Sequence, residues 1–317
     1  MRVVTSLADA APAEPSVVSI GNFDGLHLGH QAILKSVVER AQELGVRSVA
    51  MTFSPHPIRV VAPDRAPKLI STLDQKIRLI ESTGIDLLFI ARFDEAFSHL
   101  SPEEFIREYL EEGLQARSVC VGSNFNFGYR QSGTVATLKQ WRGDLEVIEV
   151  PSVRVRGMVA SSTRVRDLIT AGRISTACRL IGRWFEIEGP IVCGSGRGHV
   201  VTVPTVNMKP ENELLPKIGV YATRISLDGG VFEDSITNVG TRPTFNEREL
   251  TVETFVFSGR VPENASAVRL EFLRRLRDEV KFESPEALRR QIGFDVERCR
   301  KFFRLLNTLH HAGNRSS

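Results

Sequence analysis

Two histidines separated by a leucine and a glycine, His27-Leu28-Gly29-His30, stand between a strand-like run at 16–20 and a helix-like run, QAILKSVVERAQEL. Side chains three apart at a helix start face the same side. The glycine admits a phosphate close to the backbone, and the helix N-terminus adds N–H groups and positive potential. Imidazoles placed there can donate to phosphate oxygens where charge develops. The alternative is a pair of capping or core histidines. The spacing is neither HxxxH nor HxH and no cysteine is near, so zinc is not expected. A second set is of a different kind. Thr205 and Asn207 are hard oxygen donors at alternating positions, suited to Mg²⁺ or to a polar pair at a strand end. Glu253 lies in the alternating run TVETFVF, as a base or as a solvated face. Gly194, Gly196, Arg197 and Gly198 form a loop that could cradle phosphate or simply turn a hairpin; it is not a Walker A sequence.

These residues need elements to hold them. In the first half, strand signals at 16–20, 48–53, 86–91, 118–122 and 145–150 alternate with helical ones. The stripe Ile33, Leu34, Val37, Val38, Ala41 and Leu44 marks one buried helix face, closed by Gly45. Thr72 with Gln75, and Ser101-Pro102 with Glu104, predict capped helix starts. SSTRVRDLITAG is expected to be a last short helix ending at Gly172. This alternation predicts a parallel, doubly wound Rossmann-like α/β domain, with ligands outside the carboxyl ends of its strands. GNFDGLHLGH, SPHP and SNFNFG occupy such ends.

Past Gly182 the pattern becomes short strands, with Asp228-Gly229-Gly230 as a turn, and predicts a small antiparallel barrel. A terminal helix is expected from Pro285 to about His311, with an interruption near Gly293. Arg274, Arg275, Arg277, Arg289, Arg290, Arg298 and Arg300 read as solvated helix faces. The expected domains are 1–183 and 184–317.

The chain of 317 residues is long enough for two domains. Its 42% hydrophobic and 25% charged residues exclude wholesale disorder or a fibrous rod. With 41 Lys and Arg against 38 Asp and Glu, the net charge of +3 does not point to a general nucleic-acid binder. Four cysteines without a CxxC pair indicate neither a disulfide framework nor a zinc finger, and fit a reducing cytoplasmic setting. Neither a signal peptide nor a membrane span is expected.

GNFDGLHLGH, TFSPHP, VGSNFNFGYRQSG and SSTRVR resemble, in order and position, the signature segments of bacterial bifunctional riboflavin kinase/FAD synthetases. The amino-terminal domain of that family belongs to the HxGH nucleotidyltransferases. The resemblance implies that Gly21, Asn22 and Phe23 line the nucleotide end of the first strand, with His27 and His30, on either side of Gly29, holding the ATP phosphates. It makes His56 a phosphate or flavin-phosphate contact and places Asn124 where many members carry Asp. It assigns Ser161, Ser162, Thr163, Arg164 and Arg166 to phosphate binding. In the second domain, the glycine-rich loop (Gly194, Gly196, Arg197, Gly198) resembles the kinase nucleotide loop. There Thr205 and Asn207 would hold Mg²⁺ with ATP, and Glu253 would be the base. Thr202 and Val203 replace the usual Gly and Phe, and Phe255 a common His. The resemblance implies riboflavin, FMN and ATP as small-molecule partners, and no nucleic-acid or membrane partner. The alternatives are FAD synthesis alone with a degenerate kinase barrel, or a barrel serving RNA binding or assembly.

Overall fold

The computed structural model describes residues 1–10, 14–141, 143–192, 205–243, 248–280 and 282–313. The glycine-rich loop residues Gly194, Gly196, Arg197 and Gly198, and the departures Thr202 and Val203, lie outside them. The chain divides into two compact units, Met1–Arg164 and Val165–Ser317.

The first unit begins with β1 (Arg2–Val4), α1 (Leu7–Ala10), β2 (Ser16–Ile20), α2 (Leu28–Leu44) and β3 (Arg47–Ser54). Next come α3 (Pro57–Val61), α4 (Leu73–Glu81), β4 (Leu87–Arg92), α5 (Glu95–Ser98), α6 (Pro102–Phe105) and β5 (Ala116–Gly122). The two-residue strands β6 (Asn126–Phe127) and β7 (Gly133–Thr134) pair with each other. They precede α7 (Val135–Lys139), β8 (Glu146–Val150) and a second ribbon, β9 (Arg154–Val155) with β10 (Met158–Val159). The main sheet has the order β1-β4-β3-β2-β5-β8 and every pairing in it is parallel. β2, buried at all five residues, lies at its centre, so its carboxyl end is flanked by those of β3 and β5. The edge strand β1 is not signalled in the sequence reading: three residues are too few to show a period.

Local rules explain the frame. α2 buries Leu34, Val37 and Ala41 against the sheet, but Leu44 is 41% exposed, because the stripe has rotated off the core by the last turn. Gly45 closes the helix in the left-handed region, φ 65°. Thr72 and Gln75 form a complete capping box on α4, as do Ser101 and Glu104 on α6. Thr72→Ala removes the side-chain oxygen that accepts from the Gln75 N–H, and should cost about 1 kcal/mol of stability, read by urea denaturation.

α8 (Ser162–Thr170) runs across the division between the units. The second unit continues with α9 (Ile174–Ile181), a helix the sequence reading did not separate from the turn at Gly172. The strands β11 (Phe185–Val192), β12 (Thr205–Met208), β13 (Gly219–Leu227), β14 (Glu233–Pro243), β15 (Arg248–Val256) and β16 (Ala267–Arg277) follow. They close into an antiparallel barrel in the order β11-β12-β15-β14-β13-β16. Closure leaves no edge strand. Part of the buried interior is a hydroxyl chain: Thr223 meets Ser235 and Thr237 at 2.8 and 2.7 Å, and Thr237 meets Thr254 at 2.9 Å. Mutual hydrogen bonding makes these buried polar groups tolerable.

α10 (Pro285–Gly313) runs through Gly293 without interruption. It packs Val296, Phe302, Phe303 and Leu306 with Phe255 and Phe257 of the barrel region, and this tertiary apolar face outweighs the local cost of one glycine. Three of the arginines expected on solvated helix faces lie instead on β16: Arg274, Arg275 and Arg277. Arg277 meets the buried Asp295 at 2.7 Å, and Arg275 binds the Tyr221 hydroxyl and the Ile218 carbonyl. Arg289, Arg290, Arg298 and Arg300 are exposed on α10. Among the described residues, no helix is long and apolar enough to cross a membrane.

Candidate active sites of the two units

In the first unit the chain leaves β2 at Ile20 and must turn into α2 within seven residues. The turn uses positive φ at Phe23 (47°), Gly25 (72°) and Leu26 (34°), a cluster of sparsely populated backbone conformations beside the candidate site. A Cβ on Gly25 would stand 2.8 Å from Ile70, so both backbone and space demand glycine there. Asp24, 1% exposed, fastens the turn. Its carboxylate accepts from the N–H groups of Ile70 (3.0 Å) and Ser71 (3.2 Å), and Ser71 Oγ accepts from Gly25 N–H (3.1 Å). Asp24→Ala should leave those donors without their acceptor and lower stability by about 1–3 kcal/mol, read by urea titration.

His27 caps α2: its Nδ1 accepts from the His30 backbone N–H at 3.4 Å, which leaves Nε2 as the ring's donor. The two imidazoles stack at 3.7 Å between centroids, and Phe23, 1% exposed, meets His30 edge-on at 5.3 Å. Burial, then His27, then Lys76 hold the His30 ring well below its ordinary pKa, so it is neutral at pH 7. Among the described residues, the buried polar atoms left without a hydrogen-bond partner include Ser19 Oγ, Asn22 Oδ1 and His30 Nδ1. Orphaned polar atoms are costly unless a ligand satisfies them, and these three gather where β2 gives way to α2.

The fourth motif docks on the first. Ser162 Oγ donates to the Asp24 carbonyl at 2.8 Å. A Cβ on Gly29 would lie 3.1 Å from the His27 ring and 3.2 Å from the Ala160 carbonyl, so the glycine admits that approach. Ser161 Oγ accepts from Arg164 N–H at 3.3 Å, while Thr163 and Arg164 are exposed. Arg166 follows one turn into α8, within the second unit. His56 caps α3 just past β3, with its Nδ1 accepting from Ile58 N–H at 3.3 Å. Asn124 is exposed past β5, where its carbonyl accepts from the Asn126 side chain. Thus Gly21, Asn22, Phe23, His27, Gly29, His30, Ser161 and Ser162 gather around one turn, with His56 and Asn124 at the ends of the two neighbouring strands. The sequence reading assigned no role to Ser19, Asp24 or Lys76. Asp24 lies inside the quoted motif, but nothing local marks Ile70 and Ser71 as its partners.

In the second unit, register decides the arrangement. Asn207 of β12 stands directly opposite Glu253 of β15, and on the other side Glu253 stands opposite Asn238 of β14. Their neighbours Val206, Met208, Val252, Thr254, Thr237 and Val239 are all buried in the barrel. Period-two alternation therefore puts the Asn207–Glu253–Asn238 row on the outer face, with the exposed Thr205 two residues from Asn207 on that same face. The parallel row Thr205–Phe255–Ile236 lies beside it, and Phe255 packs against Phe257 at 5.7 Å in the cluster beneath α10. The Phe255 departure thus contributes to the apolar face that seats the terminal helix. Asn238 was not singled out from the sequence, since only pairing brings it beside Glu253. Among the described residues no cluster of three or more His, Cys, Asp or Glu has the arrangement of a metal site. A hydroxyl and an amide oxygen beside a carboxylate remain a donor set that fits a hard cation. Burial pushes Cys120 and Cys299 up to about 12 and Cys178 up to about 11, so these thiols are not poised as nucleophiles.

Comparison with known proteins agrees with this two-part layout. Residues 9–164 match the family model for FAD synthetase, and residues 181–303 the model for riboflavin kinase. A bifunctional riboflavin kinase/FMN adenylyltransferase from Buchnera aphidicola is 33% identical over 92% of this chain and 95% of its own. That of Bacillus subtilis is 32% identical over 91% and 92%. A crystal structure described as a macrolide-efflux protein from Streptococcus pneumoniae superposes with a TM-score of 0.85 at 28% identity, covering 94% of this chain and 98% of that one. The family models, the curated relatives and the two differently built sites lead to one assignment: the chain belongs to the bifunctional riboflavin kinase/FMN adenylyltransferase family.

Proposed function

We propose that this protein phosphorylates riboflavin with ATP to give FMN and ADP, and adenylylates FMN with ATP to give FAD and pyrophosphate. The observation that carries the reading is the pair of sites with different chemistry. One combines two stacked imidazoles with a helix N-terminus; the other sets a carboxylate between two amides. The two reactions need that difference. An FMN phosphate is already ionised and attacks the α-phosphorus of ATP without a general base, so its site must align reactants and offset charge. A ribityl hydroxyl must lose its proton as it attacks the γ-phosphorus.

Adenylylation belongs to residues 1–183 and phosphorylation to residues 184–317. In the first, His27, His30, Gly29 and the start of α2 receive the ATP phosphates, Gly21, Asn22 and Phe23 form the nucleotide end, and His56 and Asn124 serve the flavin phosphate and hydroxyls. Ser161, Ser162, Thr163, Arg164 and Arg166 complete the phosphate contacts, with arginine supplying a fixed fork of donors. In the second, Glu253 accepts the hydroxyl proton, and Gly194, Gly196, Arg197 and Gly198 form the nucleotide loop. Thr205 and Asn207 are the residues that would hold Mg²⁺, which supplies neutralisation of phosphate charge when bound. A cytoplasmic setting accords with ATP as co-substrate and with the free buried thiols.

The test is a product assay of the full chain with riboflavin, ATP and Mg²⁺, separating FMN from FAD. FMN formation followed by FAD is expected. FAD from supplied FMN without any turnover of riboflavin would remove the kinase half; no turnover of either flavin would remove both.

A further inference from the structure

A cavity of about 750 Å³ opens in the second unit, lined by α9, the turn into β11, β16 and the second half of α10. Its volume is that of a small-molecule pocket, and none of its lining residues belongs to either proposed reaction site. Trp184, Leu273, Phe302 and Leu306 make it largely apolar and join it to the cluster that seats α10. Two of its polar side chains serve the fold: Ser175 Oγ donates to the Leu273 carbonyl at 3.0 Å, and Cys178 Sγ accepts from the Phe185 N–H at 3.3 Å. The charge around the cavity has one sign. Arg179, Arg183 and Arg274 line it, and no acidic residue does. Arg179 and Arg274 are exposed, and among the described residues neither has a carboxylate partner. Four other arginines of this unit do have one: Arg224 meets Asp234, Arg269 meets Glu186, Arg275 meets Asp278 and Arg277 meets Asp295.

We propose that this cavity is a further ligand site, for a planar aromatic phosphate ester: an adenine or flavin nucleotide held outside both reaction centres. The Trp184 indole and the Phe302 ring supply flat apolar faces. The Arg274 guanidinium stands 5.7 Å from the Phe302 ring centroid, which places a cation against an aromatic wall. Guanidinium groups present rigid forks that match phosphate oxygens two at a time, and such charge-assisted bonds are the strong ones. Burial lowers the Arg183 pKa to about 10 and Glu186 opposes the shift, so this third arginine is also a cation at pH 7. A neutral ring system would leave the arginines unused. An aliphatic anion or an acidic peptide would meet the charge but leave the aromatic faces unused. A ring that carries a phosphate satisfies both. FMN, FAD and ADP, products of the two proposed reactions, all belong to this class, whereas riboflavin lacks the phosphate.

The indole N–H of Trp184 reports on the cavity. The chain has two tryptophans, so Trp141→Phe leaves Trp184 as the one indole signal in a heteronuclear NMR spectrum of the full chain. If that variant does not fold, the two wild-type signals are assigned by Trp184→Phe instead. The protein is titrated, without ATP, with FMN, ADP, riboflavin, inorganic phosphate and an oligoglutamate peptide. The series is repeated after Arg179→Ser and Arg274→Ser together. FMN or ADP should shift the Trp184 signal saturably, and at least about tenfold more tightly than riboflavin or phosphate does. The two arginine substitutions should weaken that binding by about tenfold or more. Both reaction rates at saturating substrate should stay within about twofold of the parent. A response to FMN alone identifies a flavin source, a response to ADP alone an adenine source, and equal responses the shared ester. The proposal is overturned if neither FMN nor ADP shifts Trp184 saturably, or if inorganic phosphate or oligoglutamate binds as tightly as they do. An unchanged titration after the arginine substitutions also overturns it, and so does the collapse of either reaction rate. The titration reads binding without turnover, so its outcome is independent of whether the proposed reactions are correct.

Discussion

Glu253→Gln should lower riboflavin phosphorylation by about 10²–10⁴-fold while FMN adenylylation continues at nearly its wild-type rate. The substitution keeps the size of the side chain and one acceptor oxygen but removes its basicity. Its effect therefore falls on the step that transfers a proton. Riboflavin and MgATP should bind within a modest factor of wild type, because Thr205, Asn207 and the nucleotide loop are untouched. The row Asn207–Glu253–Asn238 also makes the variant structurally mild: an amide replaces a carboxylate between two amides, on the outer face of the barrel. Both initial rates are read on one purified sample, so the adenylylation rate reports the folded fraction. Near-wild-type phosphorylation would exclude Glu253 as the base. A comparable collapse of both rates would mean global damage.

His30→Ala should lower FMN adenylylation by about 10–150-fold, the equivalent of about 1.5–3 kcal/mol for a hydrogen bond to a charged group expressed in the transition state. The ring is neutral at pH 7, so what is lost is a donor to phosphate rather than a permanent cation. The substitution also removes the stacking partner of His27 and the edge contact of Phe23. Thermal denaturation must accompany the kinetics: a folded variant with the rate loss confined to adenylylation supports the local role. Equal loss of both activities, or unaltered FAD synthesis, counts against it.

Some positions announce themselves locally. Thr72 with Gln75, Ser101 with Glu104, and Gly45 at the end of α2 form the caps their spacing predicts, because a cap is completed within a few residues. The parallel sheet and the barrel follow from a change of hydrophobic period at about residue 183. Leu44, Gly293 and the arginines of β16 went the other way. Each was read by a local rule, and each was decided by what packed against it: the limit of the sheet under α2, the apolar face of α10, and Asp295, Tyr221 or a carbonyl meeting an arginine.

The site residues divide in the same manner. By itself the sequence determined the types and spacing of His27, Gly29 and His30, their place between a strand and a helix, and the alternation that puts Thr205 and Asn207 on one side. It could not place Glu253 on the outer face opposite Asn207, because a shift of one residue in strand pairing moves every side chain to the other face, and pairing is not local. Nor could it join Ser162 to the Asp24 carbonyl across 138 residues, or bury Lys76. Chemistry-bearing residue types are properties of the chain. Which of them are buried, neutral or opposed to one another depends on solvent exclusion and electrostatics between distant segments, and only the tertiary structure sets those.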